Sequence, residues 1–186
     1  MQKEMTLAEI EARLDELGPS PQDNGTVEMI VCRPDEGQRK VLEAAELDTT
    51  EGLVGDNWRK RGSRHSEDGS ALIEAQIAIM NSRNIQAIEP EHDRWPLAGD
   101  QIFVDIDLSA ENMPAGQRIA IGSAILEVTE LPHNGCGKFA ERFGSGASRF
   151  VNSKEGRENR RRGVNTRVIR GGTIRQRDTI TKVDVS

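Results

Sequence analysis

Apolar runs in this chain are short, and glycine, asparagine or proline closes most of them, so no long helix can carry the fold. Thr26–Arg33 (TVEMIVCR) is rich in β-forming residues, and 41–47 is a weaker run of the same kind. Residues 72–80 form a third run, and Asn81 after it suits the N-cap of a short helix ending near Ile88. Residues 101–108 (QIFVDIDL) and 124–131 (AILEVTEL) alternate apolar with polar residues, as half-buried strands do. Residues 164–169 lead to Gly171-Gly172, a two-residue hairpin signal, and then to 173–175 and 180–183. Many short strands with glycine turns predict a mainly β fold, a closed or partly open β-barrel carrying peripheral short helices.

Two stretches depart from this pattern. At the N-terminus, Thr6-Leu7-Ala8-Glu9 is a capping box, Leu7, Ile10, Leu14 and Leu17 share one helical face, and Gly18-Pro19 ends the run. The division is residues 1–24 as an amphipathic helix and linker, and 25–186 as the barrel domain. The helix packs on the domain's outside or docks a partner. Between 138 and 162, Phe139, Phe143, Phe150 and Val151 are spaced for short helices.

The formal charge of −6 hides a polar division. Residues 157–177 hold eight arginines and one acid, so that block carries +7 and the rest of the chain −13. Arg59, Lys60, Arg61 and Arg64 form a smaller cluster. Arginine suits bidentate grips on carboxylates and phosphates. Alternatively, Arg157, Arg160, Arg161 and Arg162 form a solvated face paired with Glu155 and Glu158. Aromatics are 3% with no Tyr, which leaves few platforms for stacking bases and makes a nucleic-acid partner the weaker reading. No run approaches a membrane span, and the charged N-terminus is unlike a signal peptide. Two cysteines are too few for a disulfide scaffold, and a cytoplasmic location is the expectation.

The stretch with most chemistry is 131–144, LPHNGCGKFAERFG. Cys136 lies between Gly135 and Gly137, with His133 and Lys138 flanking it and a helix expected to start just after Gly137. A helix N-terminus and nearby positive charge both favour a thiolate. Such a group attacks sulfur, carries a persulfide or ligates a soft metal. The plainer alternative is a small buried cysteine, the reading preferred for Cys32 inside its apolar strand. The Gly-Lys at 137–138 lacks the glycine spacing and the following Ser or Thr of a phosphate loop, and the three histidines and two cysteines make no zinc set.

Five segments in order, GLVGD at 52–56, AGDQIFV at 98–104, IGSAILEV at 121–128, the Cys136 stretch, and RGVNTRVI at 162–169, resemble the MOSC domain, the module at the C-terminus of molybdenum cofactor sulfurases. The similarity runs from roughly Gly25 to Val183. Unlike many members, this chain has no His-Gly-Gly after Asp56 and has Gly135 rather than proline before the cysteine.

The resemblance implies a β-barrel with Cys136 as the signature cysteine. It implies persulfide sulfur transfer or molybdenum cofactor binding, with Cys136 as a possible molybdenum ligand. Arg160, Arg162, Arg167, Asn134, Gly135 and Gly137 would then hold the cofactor or an anionic donor, with His133 and Lys138 tuning the thiolate. A cysteine desulfurase or other sulfur donor is the partner implied. A molybdenum-dependent reductase of N-hydroxylated compounds, served by an electron-transfer partner, is the alternative, and an Arg-rich anion- or RNA-binding module a second. Pyridoxal phosphate belongs to a separate domain of the sulfurases and is not expected here.

Overall fold

Helix α1 (Leu7–Leu17) opens with the capping box expected: the Thr6 hydroxyl accepts from the Glu9 amide while the Glu9 carboxylate accepts from the Thr6 amide. The computed structural model describes residues 4–184. In order follow β1 (Gly25–Cys32), β2 (Lys40–Leu42), β3 (Ala44–Asp48), β4 (Gly52–Leu53), α2 (Trp58–Arg61), β5 (Ile77–Asn81), α3 (Ser82–Ile88), β6 (Ile102–Asp105), β7 (Arg118–Ile121) and β8 (Ala124–Val128). The C-terminal part holds α4 (Gly137–Asn152), α5 (Lys154–Glu158), β9 (Val164–Arg170), β10 (Gly172–Arg175) and β11 (Thr179–Val183). Tight 3-10 turns precede β5 (Ile73–Ala75) and β6 (His92–Ala98).

Seven strands close a barrel in the order β1-β6-β5-β9-β8-β7-β11, with β11 returning to β1. All these pairs are antiparallel except β5–β6. Strand β2 pairs with the last three residues of β1, and β10, β3 and β4 form a separate small sheet. No described helix is long and apolar enough to cross a membrane.

The barrel interior is aliphatic. Val27, Ile30, Ile79, Val104, Leu126 and Val168 are among its buried side chains. A bulge between Val27 and Met29 resets the alternation of β1, so that Met29 and Val31 face a second core outside the barrel. That outer core lies among α1, α3, α4 and the strands' outer faces, and it takes all four phenylalanines of the chain. Ile10 of α1 is 0% exposed within it. The linker expected at 18–24 lies bound along the barrel: Asn81 donates to Ser20 Oγ, the Asp107 amide to Pro21 O, and the Lys182 amide to Asp23, all at 2.8 Å.

Three expected elements differ from those observed. The run at 41–47 divides at Glu43 into β2 and β3, which join different sheets. The run at 72–80 breaks at Gln76, whose buried side chain bonds Thr49 O and the Val168 amide across two other segments. Gly171-Gly172 makes no hairpin, because β9 pairs with β8 and β5 while β10 pairs with β3. Neither glycine has positive φ, which a type I′ turn needs. They are small because a Cβ at 171 would lie 2.7 Å from Leu47 O and one at 172 would lie 2.4 Å from Ser123 Oγ.

Because α1 completes a core, Ile10→Ala costs about 2–5 kcal/mol of stability. Chemical denaturation with α4 packing followed by near-UV circular dichroism checks this, and an unchanged midpoint would make α1 an appendage.

Candidate functional site

The site is organised by one buried carboxylate. Asp100 follows the left-handed Gly99 (φ 93°) that ends the 92–98 turn, and its side chain is 0% exposed. Its Oδ2 accepts from Arg162 Nη1 at 2.6 Å, and its Oδ1 faces His133 Nε2 at 2.8 Å. Burial alone would raise the Asp100 pKa, but Arg162 and His133 outweigh it and hold the carboxyl down at about 2. Burial, and then Arg162, push the His133 pKa below its ordinary value, so the ring is neutral at pH 7. An ionised Asp100 only accepts, so His133 Nε2 carries the proton and Nδ1 presents a lone pair.

The segment leading to Cys136 is pinned in sequence order. Asn165 Nδ2 donates to Leu131 O and Pro132 O. His133 is held by Asp100, and the Asn152 amide makes a reciprocal pair with the Gly135 backbone, 3.0 Å each way. Just beyond, Phe139 packs under the Arg162 guanidinium, 4.9 Å from its ring centroid. Cys136 thus sits between two points tied to the same carboxylate. It is the N-cap of α4, its thiol is free and exposed, and its side chain makes no capping bond. The first amides of α4 lie beside it without helical acceptors.

Around Asp100 stands a collar of arginines that the sequence reading does not single out as a group. Four consecutive carbonyls are each taken by a different one. Arg39 Nε donates to Pro96 O at 3.1 Å and Arg142 Nη1 to Leu97 O at 2.7 Å. Arg162 Nη2 donates to Ala98 O at 2.8 Å and Arg33 Nη1 to Gly99 O at 2.9 Å. Arg33 also grips Asp56 through Nε and Nη2 at 2.9 and 2.8 Å. Arg61 lies close enough that Arg33 depresses its pKa, after burial. Burial and then Arg142 and Arg33 do the same at Arg39. Among the described residues, Arg39, Arg61 and Arg142 have no carboxylate partner. Arg142 is about 9 Å along the helix axis from Cys136.

The expected site residues separate into groups. Cys136, Gly137 and Lys138 share the start of α4, and Lys138 is exposed without a side-chain partner. His133 and Arg162 meet at Asp100. Asn134 and Arg160 line a cavity beside His133, with Arg160 donating to Met113 O. Arg167 is exposed on β9 and engaged by Glu127 at 2.7 Å, on a different surface. Asp56 and Asp100 lay in the quoted segments 52–56 and 98–104, a signal that could have found them. Arg33 and Arg39 gave no sequence signal, and Arg61 only as part of its cluster.

A MOSC domain family model matches residues 61–181. The chain belongs to the MOSC domain family. Solved MOSC-type structures share its fold: the YuaD protein of Bacillus subtilis superposes with a TM-score of 0.65 at 16% identity, covering 88% of this chain and 97% of that one. YiiM of Escherichia coli gives 0.56 at 15% identity, with 87% and 71% covered. YiiM of Geobacillus stearothermophilus gives 0.53 at 13%, with 89% and 75% covered. No curated protein matches the sequence significantly. In this MOSC domain the quoted segments meet around the collar: Asp56 on Arg33, Asp100 on Arg162, Asn165 on the 131–132 backbone.

Two outcomes test this geometry. Asp100→Asn leaves Arg162 buried without its counter-charge and lowers stability by about 3–5 kcal/mol, read from denaturant midpoints at pH 7. In wild type, Asp100's contribution is complete above its ordinary value of 3.8 and is lost as pH falls toward 2, since its folded pKa is depressed. A variant as stable as wild type would remove Asp100 from its central place. Gly135→Ala places a Cβ 2.7 Å from a Val151 methyl and lowers Tm, whereas Gly137→Ala meets nothing within 4 Å and leaves Tm within about a degree. Equal Tm losses would contradict that contrast.

Proposed function

We propose that this MOSC protein is a sulfur carrier whose working atom is Cys136 Sγ. The observation that carries the reading is an exposed, unbonded thiol at the start of α4, with Arg142, which has no carboxylate partner among the described residues, six residues along the same helix. In the transfer step the Cys136 thiolate attacks the outer sulfur of a donor persulfide. The donor's S–S bond breaks, the donor leaves as its thiolate, and Cys136 holds the sulfur as a persulfide, with no net oxidation. His133, Asp100 and Arg162 hold the loop in place, and the guanidiniums of Arg39, Arg61 and Arg142, which have no carboxylate partner among the described residues, attract an anionic donor. The donor class is a cysteine desulfurase.

Binding of the molybdenum cofactor is the second reading. The residues fit that group: a thiol suits a soft metal, unpaired arginines suit a phosphate, and Arg162 Nε is a buried donor with no partner in the same collar. Among the described residues no group of three or more His, Cys, Asp or Glu is arranged around a metal, so other ligands would come from the cofactor. When bound, that group would supply redox chemistry, Cys136 would offer it one thiolate ligand, and the arginines would hold its phosphate.

Incubation with a cysteine desulfurase and cysteine should add one sulfur to the intact mass of wild type and none at this site in Cys136→Ser. No adduct on wild type, or the same adduct on the variant, ends the carrier reading. Arg142→Gln should slow loading about tenfold at low salt and less at high salt, because the donor is attracted electrostatically. Molybdenum and pterin content of protein from a cofactor-producing host decides the second reading.

A further inference from the structure

We propose a second small-molecule site, beside the Cys136 loop and separate from its thiol, that takes a small hydroxy- or mercapto-carboxylate. A cavity of about 290 Å³ is bounded by His133, Asn134, Arg157, Arg160, Glu130 and Val164. Cys136 and the arginines of the collar do not line it. Its volume is at the small end of ligand pockets, enough for a molecule of a few heavy atoms.

The chemistry of its wall selects the ligand. His133 enters with a defined tautomer, because Nε2 donates to Asp100. Among the described residues Nδ1 has no hydrogen-bond partner, and it is not sealed from solvent. A bare lone pair repels another acceptor and calls for an O–H or S–H donor. Arg157 makes no side-chain hydrogen bond or ion pair, and only Nη1 of Arg160 is engaged, by Met113 O. The lining holds two arginines and one acid, Glu130, so the wall favours a single negative charge over a cation or a polyanion. A carboxylate with a hydroxyl or thiol on the next carbon satisfies both demands.

The position of Arg160 is built into the backbone. It adopts φ 46°, a conformation a non-glycine residue seldom takes, and Gly163 follows at φ 111°. A Cβ at 163 would lie 2.1 Å from Ile79 O. This turn sends three successive arginines to three places: Arg160 to the cavity, Arg161 onto the Phe150 ring and Glu155, and Arg162 to Asp100. A solvated arginine helix would not do this.

The test is a titration of the full chain with glycolate, mercaptoacetate, acetate and phosphate, followed by ¹⁵N NMR of the histidine rings. Glycolate and mercaptoacetate should shift the His133 Nδ1 resonance saturably. Acetate, which lacks the donor, should bind about fivefold more weakly, the worth of one hydrogen bond. Arg157→Gln, exposed and touching nothing, should weaken glycolate about tenfold with Tm unchanged. His133→Phe should abolish the difference between glycolate and acetate. Equal binding of glycolate and acetate by wild type, tighter binding of phosphate than glycolate, or no shift up to about 50 mM overturns the proposal, whether or not His133→Phe folds. Cys136→Ser should bind glycolate like wild type, so loss of persulfide loading and loss of this site are separately visible.

Discussion

A single negative charge out of reach of water holds the functional end of this molecule together. A buried carboxylate is costly unless paired and hydrogen-bonded. Asp100 receives both a guanidinium and an imidazole, one per oxygen. Through His133 it fixes the segment before Cys136, and through Arg162 stacked on Phe139 it fixes the helix after it. The thiol needs no bond of its own to be placed, and remains exposed and free to react.

The arginine collar extends the same logic to the backbone. Of the carbonyls of 96–99, at the end of a 3-10 turn, only Pro96 O also accepts a backbone amide, that of Gly99, and the negative end of such a turn favours cations. Four arginines from four parts of the chain supply those bonds. Arg33 and Arg162 are paired with buried acids, while Arg39 and Arg142 are bonded to carbonyls and have no ion pair among the described residues. The arginines that tie down the backbone and those left without an acid are therefore one device.

The two cores explain a compositional oddity. A small barrel interior is filled by branched aliphatic side chains, and here it holds no aromatic ring. The four phenylalanines and Trp95 lie outside, where helices cross the barrel and larger gaps need filling. There they also serve the site: Phe139 supports Arg162, and Phe150 supports Arg161.

Local signals in the sequence carried reliably. The capping box at Thr6, the Asn81 cap of α3, the start of α4 just after Cys136 and most barrel strands depend on neighbours within a few residues, and periodicity reveals them. The family segments identified the fold class. Partner choice across long separations was not written locally. Gly171-Gly172 has hairpin chemistry but passes between two sheets, and Arg167, equal to Arg162 in sequence terms, pairs with Glu127 on an outer surface. Composition located the positive charge in 157–177, whereas the collar at Cys136 draws mainly on Arg33, Arg39 and Arg142 from elsewhere. The sequence by itself determined most strands, the helix caps and the place of Cys136 at a helix start, because each is set by short-range geometry. Only barrel closure decided which charges gather around Asp100 beside the Cys136 loop, since residues 33, 100, 142 and 162 become neighbours only when β1, β6 and α4 pack against one another.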